Sequence, residues 1–145
     1  MLALELETSA VKAFMGQLLR EDIFDQFEVR NIEIATNAHF SIDCKNDAGY
    51  LTWGYMRPII FEIIKTSPKP KHMKIVFSYN SEGAVEIHAN AAALFLNLAY
   101  ENDAVHFTTG VAQREFLFEK SLDHSWDDWI AGFLAKTGLA VRARE

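Results

Sequence analysis

Trp53, Tyr55 and Arg57 fall in the run WGYMRP, and His124 and Trp126 fall in DHSWDDW towards the other end of the chain. An aromatic wall with one guanidinium can hold a carboxylate, a planar ring or a partner's side chain. These five residues form the candidate ligand-binding set. The same residues also suit a structural role, in which the tryptophans pin helices to a sheet and Arg57 pairs with a carboxylate at a helix end.

Catalytic patterns are harder to assemble. The five histidines are His39, His72, His88, His106 and His124, and none falls in H-x-x-x-H or another ligand spacing. No metal site and no cofactor is therefore expected. His39 and His106 take the strand faces opposite Phe40 and Phe107, where a solvated or groove-lining imidazole is ordinary. Cys44 lies on the apolar parity of its strand without a neighbouring base, so it reads as a small buried hydrophobe rather than a nucleophile. The seven glycines are dispersed, which leaves no phosphate loop, and no G-x-S-x-G occurs. Asp127 and Asp128 are adjacent on a helix and point in different directions, so they do not form an acid/base pair. Lys65, Lys69, Lys71 and Lys74, with His72, make a basic patch around a Pro-rich connector, which reads as a solvated loop.

The elements that would position these side chains follow from periodicity. The central stretch runs from Leu94 to Glu119. Leu94, Leu96, Leu98 and Tyr100 alternate with Phe95, Asn97 and Ala99, the period of a strand. Glu101-Asn102-Asp103 supplies a turn, and Val105, Phe107 and Thr109 bring the chain back. Gly110 marks a bend, and Arg114 to Glu119 reads as a third strand of the meander. Its apolar face needs a cover of helices.

Upstream, Leu2 to Leu6 is a strand. Thr8 or Ser9 is positioned to cap a helix carrying Val11, Phe14, Met15, Leu18 and Leu19 on one side. From Phe27 the apolar parity slips before Ile32 and Ile34, which predicts a bulge near Asn31. Phe40, Ile42 and Cys44 share a strand face, and Tyr50 to Trp53 is a short strand. Pro58 suits the first position of a helix bearing Ile59, Ile60, Ile63 and Ile64. Thr66 to Lys71 is a stiff connector, Met73 to Tyr79 a strand, Asn80 to Gly83 a turn or loop, and Ala84 to Ala93 a short helix or irregular edge. Ser121 or Asp123 caps a last helix, with Leu122, Trp126, Trp129, Ile130 and Phe133 on one side and Gly138 at its end. Val141 to Glu145 is read as frayed.

The fold class is thus α+β, an antiparallel meander sheet covered by amphipathic helices, in one domain spanning 1–145. The element order admits two similar strand-helix-meander-helix halves. With 145 residues, half of them hydrophobic and 12% aromatic, the chain has enough apolar side chain for a core without staples. One cysteine excludes an internal disulfide framework and fits a reducing compartment. A net charge of -6 lacks the positive field that nucleic acid or anionic lipid requires. No run approaches the ~20 apolar residues of a membrane span, and Glu5 and Glu7 stand where a secretion signal needs basic and apolar residues. A cytoplasmic location follows.

The segments MLALELETSAVKAFMGQLL, WGYMRPIIFEIIK, LFLNLAYEN and EKSLDHSWDDW together resemble a family of short uncharacterised bacterial proteins, catalogued as a domain of unknown function. The resemblance spans nearly the whole length, departs around Asn80 to Ala93 where this chain is shorter, and implies a compact cytoplasmic protein without transferring any site residue. The element order is also similar to one domain of a DNA sliding clamp. Clamps line their bore with basic helices, whereas the first helix here offers only Lys12 and Arg20. The function expected is a non-enzymatic binding module for a small molecule or protein segment. The alternatives are a self-associating or clamp-like scaffold, pairing through exposed strand edges as a homo-oligomer, and an enzyme with a dispersed His/Asp site. The enzyme would need two histidines within hydrogen-bond reach in one cleft.

Overall fold

The computed structural model describes residues 1–65 and 70–143. Its elements, in chain order, are β1 (Ala3–Leu6), α1 (Val11–Arg20), β2 (Glu28–Ala35), β3 (His39–Asp43), β4 (Lys45–Asn46), β5 (Gly49–Tyr50), α2 (Trp53–Lys65), β6 (His72–Ser78), α3 (Ser81–Ile87), β7 (Ala91–Glu101), β8 (Ala104–Gln113), α4 (Ser121–Lys136) and β9 (Val141–Ala143). Seven strands form one antiparallel sheet in the order β3-β2-β6-β7-β8-β1-β9, and β4 and β5 form a separate two-stranded hairpin. The fold is α+β, as the alternation of periods predicts.

One sheet face is the core. Ile32 and Ile34 of β2, Met73, Ile75 and Phe77 of β6, Leu94, Leu96 and Leu98 of β7, and Val105 and Phe107 of β8 are all buried. Three helices lie over them. Phe14 of α1 meets Phe107 edge-on at 5.4 Å, and Trp53 of α2 meets Phe77 at 5.6 Å. From α4, Trp126, Trp129 and Phe133 stack in a ladder at 5.3 and 5.6 Å, which reaches Phe27 and Tyr79. Stacked and edge-to-face rings satisfy the quadrupoles of the aromatics while removing large apolar areas from water.

Several local expectations hold for identifiable reasons. The pairing of β2 with β6 shifts between Val29 and Asn31, the bulge that the parity slip requires. Asn102 and Asp103 adopt φ of 52° and 61°, the left-handed pair of a tight hairpin turn. Gly138 ends α4 at φ 75°.

Others are corrected. Arg114 to Glu119 is not a strand but an exposed loop, because the place beside β8 is taken by β1, with Ala3 opposite Thr108. Gly110 does not bend the chain; β8 runs straight through it to Gln113. Tyr50 to Trp53 is not a strand beyond Tyr50, since α2 starts at Trp53 and holds Pro58 inside it. The first turn is anchored by tertiary bonds, Trp53 N–H to the Phe27 carbonyl at 2.9 Å among them, so the helix starts before its proline. Asn80 to Gly83 is the start of α3, whose cap is the Asn80 side chain accepting from the Gly83 amide at 2.6 Å. Ala84 to Ala93 divides between α3 and β7. Neither Thr8 nor Ser9 caps α1: a single 3-10 turn at Thr8–Ala10 satisfies the leading amides instead. Neither Ser121 nor Asp123 caps α4, and the Ser121 hydroxyl lies 2.9 Å from His88 Nε2. Of the end read as frayed, Val141 to Ala143 pairs with β1 as β9, and residues 144–145 lie outside the described residues. Most of the Thr66 to Lys71 connector lies outside the described residues. The element order of the halves repeats only in part, since α1 is followed by β2, β3 and the β4–β5 hairpin whereas α3 is followed by β7 and β8 alone before α4. The pairing differs as well: β6 lies beside β7, whereas β1 is separated from β2 by three strands.

Candidate functional site

The sequence-nominated residues divide by burial. Trp53 is fully buried, and its indole N–H donates to the Leu18 carbonyl at 2.9 Å. That carbonyl belongs to the last turn of α1, where no helical amide remains to receive it. Trp126 is likewise 0% exposed and donates to the Phe95 carbonyl at 2.8 Å. Both tryptophans face the one aromatic core, so neither presents a ring to solvent. Arg57 makes a two-pronged contact with Asp25, with Nε and Nη2 each 2.8 Å from a carboxylate oxygen. The hydrogen bond to Asp25 raises the Arg57 pKa above its ordinary value, against a smaller desolvation effect. Tyr55 is 61% exposed, and His124 is exposed on α4. The structure thus buries Trp53 and Trp126 in the same core and leaves Tyr55 and His124 outside on separate helices.

The basic patch also divides. Lys65 ends α2 and pairs with Glu62 at 3.0 Å, Lys74 lies on the sheet, and Lys69 lies outside the described residues. Burial, followed by the neighbouring Asp43 charge, pushes the Cys44 thiol up to about 11. Among the described residues, no group of three or more His, Cys, Asp or Glu side chains is placed to hold a metal ion. None of their helices is long and apolar enough to cross a membrane.

A concave surface lies on the sheet face opposite the core, where the register places it. A groove of about 470 Å³ is lined there by Asn31, Glu33, Lys74, Val76, Asn97, Ala99, His106 and Thr108, with backbone from Ile75 and Leu98. The register explains its shape. One row across the sheet reads Glu33, Lys74, Ala99, His106, Glu5 and Arg142, each the direct cross-strand partner of the next. The adjacent row reads Asn31, Val76, Asn97 and Thr108. Long polar side chains stand on either side of Ala99, whose methyl leaves a gap. With strands about 4.8 Å apart, the Lys74 and His106 backbones flank that gap at roughly 10 Å.

The polar groups around the gap are incompletely paired. His106 Nδ1 is shut off from solvent without a hydrogen-bond partner. Among the described residues neither Lys74 nor Glu33 enters an ion pair, whereas Glu5 meets Arg142 at 3.5 Å. The Asn97 amide donates to Thr108 Oγ1 at 3.3 Å, which leaves the Thr108 hydroxyl proton free to donate. His39 and His72 share this face with rings 6.2 Å apart, and no hydrogen bond joins them. Sequence reasoning assigned His106 to the correct face but missed the groove. Its signal was the set of residues at the parity opposite the core, and finding it required knowing that β6 lies between β2 and β7.

No curated protein and no solved structure matches this chain. A family model does match, from Gln17 in α1 to Arg142 in β9, and so takes in every strand of the groove. The chain belongs to that family, DUF5721, a family of unknown function matched over residues 17–142.

Proposed function

We propose that this protein is a non-enzymatic binding module whose ligand lies in the groove on the open face of the sheet. The observation that carries the reading is the convergence of unpaired polar groups on one concavity. Among the described residues, a buried imidazole nitrogen has no partner, a lysine no counter-ion and a hydroxyl proton no acceptor around the Ala99 gap. Buried polar groups are normally satisfied, and those that are not call for an explanation. A bacterial cytoplasmic setting belongs to the same proposal, supported by the family resemblance and by the lone buried thiol Cys44. The test is amide chemical-shift mapping of the labelled protein against a small-molecule extract of bacterial cells. Shifts clustered at Lys74, Val76, Asn97, Ala99, His106 and Thr108 are expected. Shifts confined to the surface around Tyr55 and His124, or none, would reject the groove.

A second reading, the self-associating scaffold, draws on the loop 114–120. Phe116 and Phe118 are 75% and 90% exposed and meet edge-to-face at 5.0 Å. Two side-chain amides stake the loop: Asn90 to the backbone of Glu115, and Gln113 to the backbone of Leu117. Exposed rings on a held loop are the kind of surface that associates. Sedimentation velocity over a wide concentration range decides, with a monomer throughout excluding this reading.

A further inference from the structure

The donor set around Ala99 points to the chemical class of the ligand: we infer that the groove takes a small anion, a phosphate or carboxylate group, seated over Ala99 between Lys74 and His106. This inference rests on the groove being the binding site. Lys74 contributes an ammonium with three donors, and the exposed Asn31 an amide with two. The Thr108 hydroxyl, already accepting from Asn97, keeps a rotatable proton to donate. His106 Nδ1 has no partner and is shut off from solvent in this pose, so a turn of the ring is what would carry an N–H to an oxygen above Ala99. Val76 and Ala99 form an apolar floor that withholds competing side-chain donors and acceptors from the middle of the groove.

Two carboxylates lie in the same row, each two strands away from Ala99. Glu5 is drawn off towards Arg142, at 3.5 Å on the far side of His106. Glu33 lies beyond Lys74, one strand further from the gap, so it opposes an anion at longer range than Lys74 attracts it. Charge-assisted hydrogen bonds are about twice as strong as neutral ones, and oxygens gathered on one small group can use several of these donors together.

The test titrates the labelled full chain with inorganic phosphate, malonate, glucose and choline, following the amides of Lys74, Ala99, His106 and Thr108. Phosphate and malonate are expected to shift them saturably. Lys74→Met, at an exposed position, should weaken that binding roughly tenfold or more. Glu33→Gln, which removes the opposing charge, should strengthen it about threefold. Ala99→Leu, which fills the floor, should abolish the Thr108 shift, whereas unspecific attraction to a surface lysine would survive it. If glucose or choline moves these amides and the anions do not, the anion inference falls while the groove stands as the site. Unchanged phosphate affinity in Lys74→Met also overturns the inference. If none of the four probes shifts these amides, the inference and the groove fall together.

Discussion

Replacing Trp53 by Phe separates packing from hydrogen bonding at one of the two fully buried tryptophans among the sequence-nominated residues. The indole N–H is the partner of the Leu18 carbonyl, and no backbone amide takes its place. Phenylalanine keeps most of the ring that abuts Phe77 but orphans that carbonyl, which costs about 1–3 kcal/mol. The smaller ring adds a cavity worth about 1 kcal/mol more. The sum is roughly 3 kcal/mol, a large fraction of the ~5–15 kcal/mol that holds a domain together. Trp53→Ala adds a full aromatic truncation of about 3–5 kcal/mol to the orphaned carbonyl and approaches that whole margin. The assay is urea unfolding followed by far-ultraviolet circular dichroism. With a slope near 2 kcal/mol per molar, Trp53→Phe should lower the midpoint by roughly 1.5 M, and Tyr55→Phe on the exposed side should leave it in place. A shift below about 0.3 M for both Trp53 variants would refute the structural role. Weakened ligand binding at full stability would return Trp53 to the binding site.

Arg57→Ala frees Asp25 on a partly exposed surface and should destabilise by about 1 kcal/mol, less at high salt, as measured by the same unfolding curve. Burial raises the folded-state pKa of Cys44 above its ordinary value, to about 11, so the protonated thiol favours the folded state. Stability from this group is fully present below pH ~9 and is lost as pH rises from there through ~11, by up to roughly 2–3 kcal/mol. The difference between the pH–stability curves of wild type and Cys44→Ala isolates that loss, and parallel curves from pH 8 to 11 would contradict it. Phe118→Ser, at a position 90% exposed, should change stability by less than about 0.5 kcal/mol while reducing any self-association seen in sedimentation.

What could be read from the chain was local. The slip between Val29 and Ile32 needed a bulge, Asn102-Asp103 needed left-handed dihedrals, and the spacing of Val11, Phe14, Leu18 and Leu19 needed one helix face against a core; all three are present. What could not be read was decided by distant partners. Arg114 to Glu119 has the composition of a strand, but Ala3 of β1 lies opposite Thr108, more than a hundred residues away, and closes that side of β8. Pro58 suggested a helix start, and the bonds from Trp53 to Phe27 and Leu18 set it a turn and a half earlier. The tryptophans invited a ligand because a sequence does not state which side of an aromatic residue meets solvent. The groove required the order β2-β6-β7-β8, which places Lys74 and His106 on either side of Ala99. No period within a single strand carries that information.

The central claim is that the uncovered sheet face is the working face and the aromatic core only supports it. A crystal structure of the protein purified from unsupplemented cells and grown in phosphate tests this most directly. The account predicts an ordered anion over Ala99, with oxygens in hydrogen-bond reach of Lys74 and His106. An ordered ligand against Tyr55 and His124, with the groove holding only water, would contradict it.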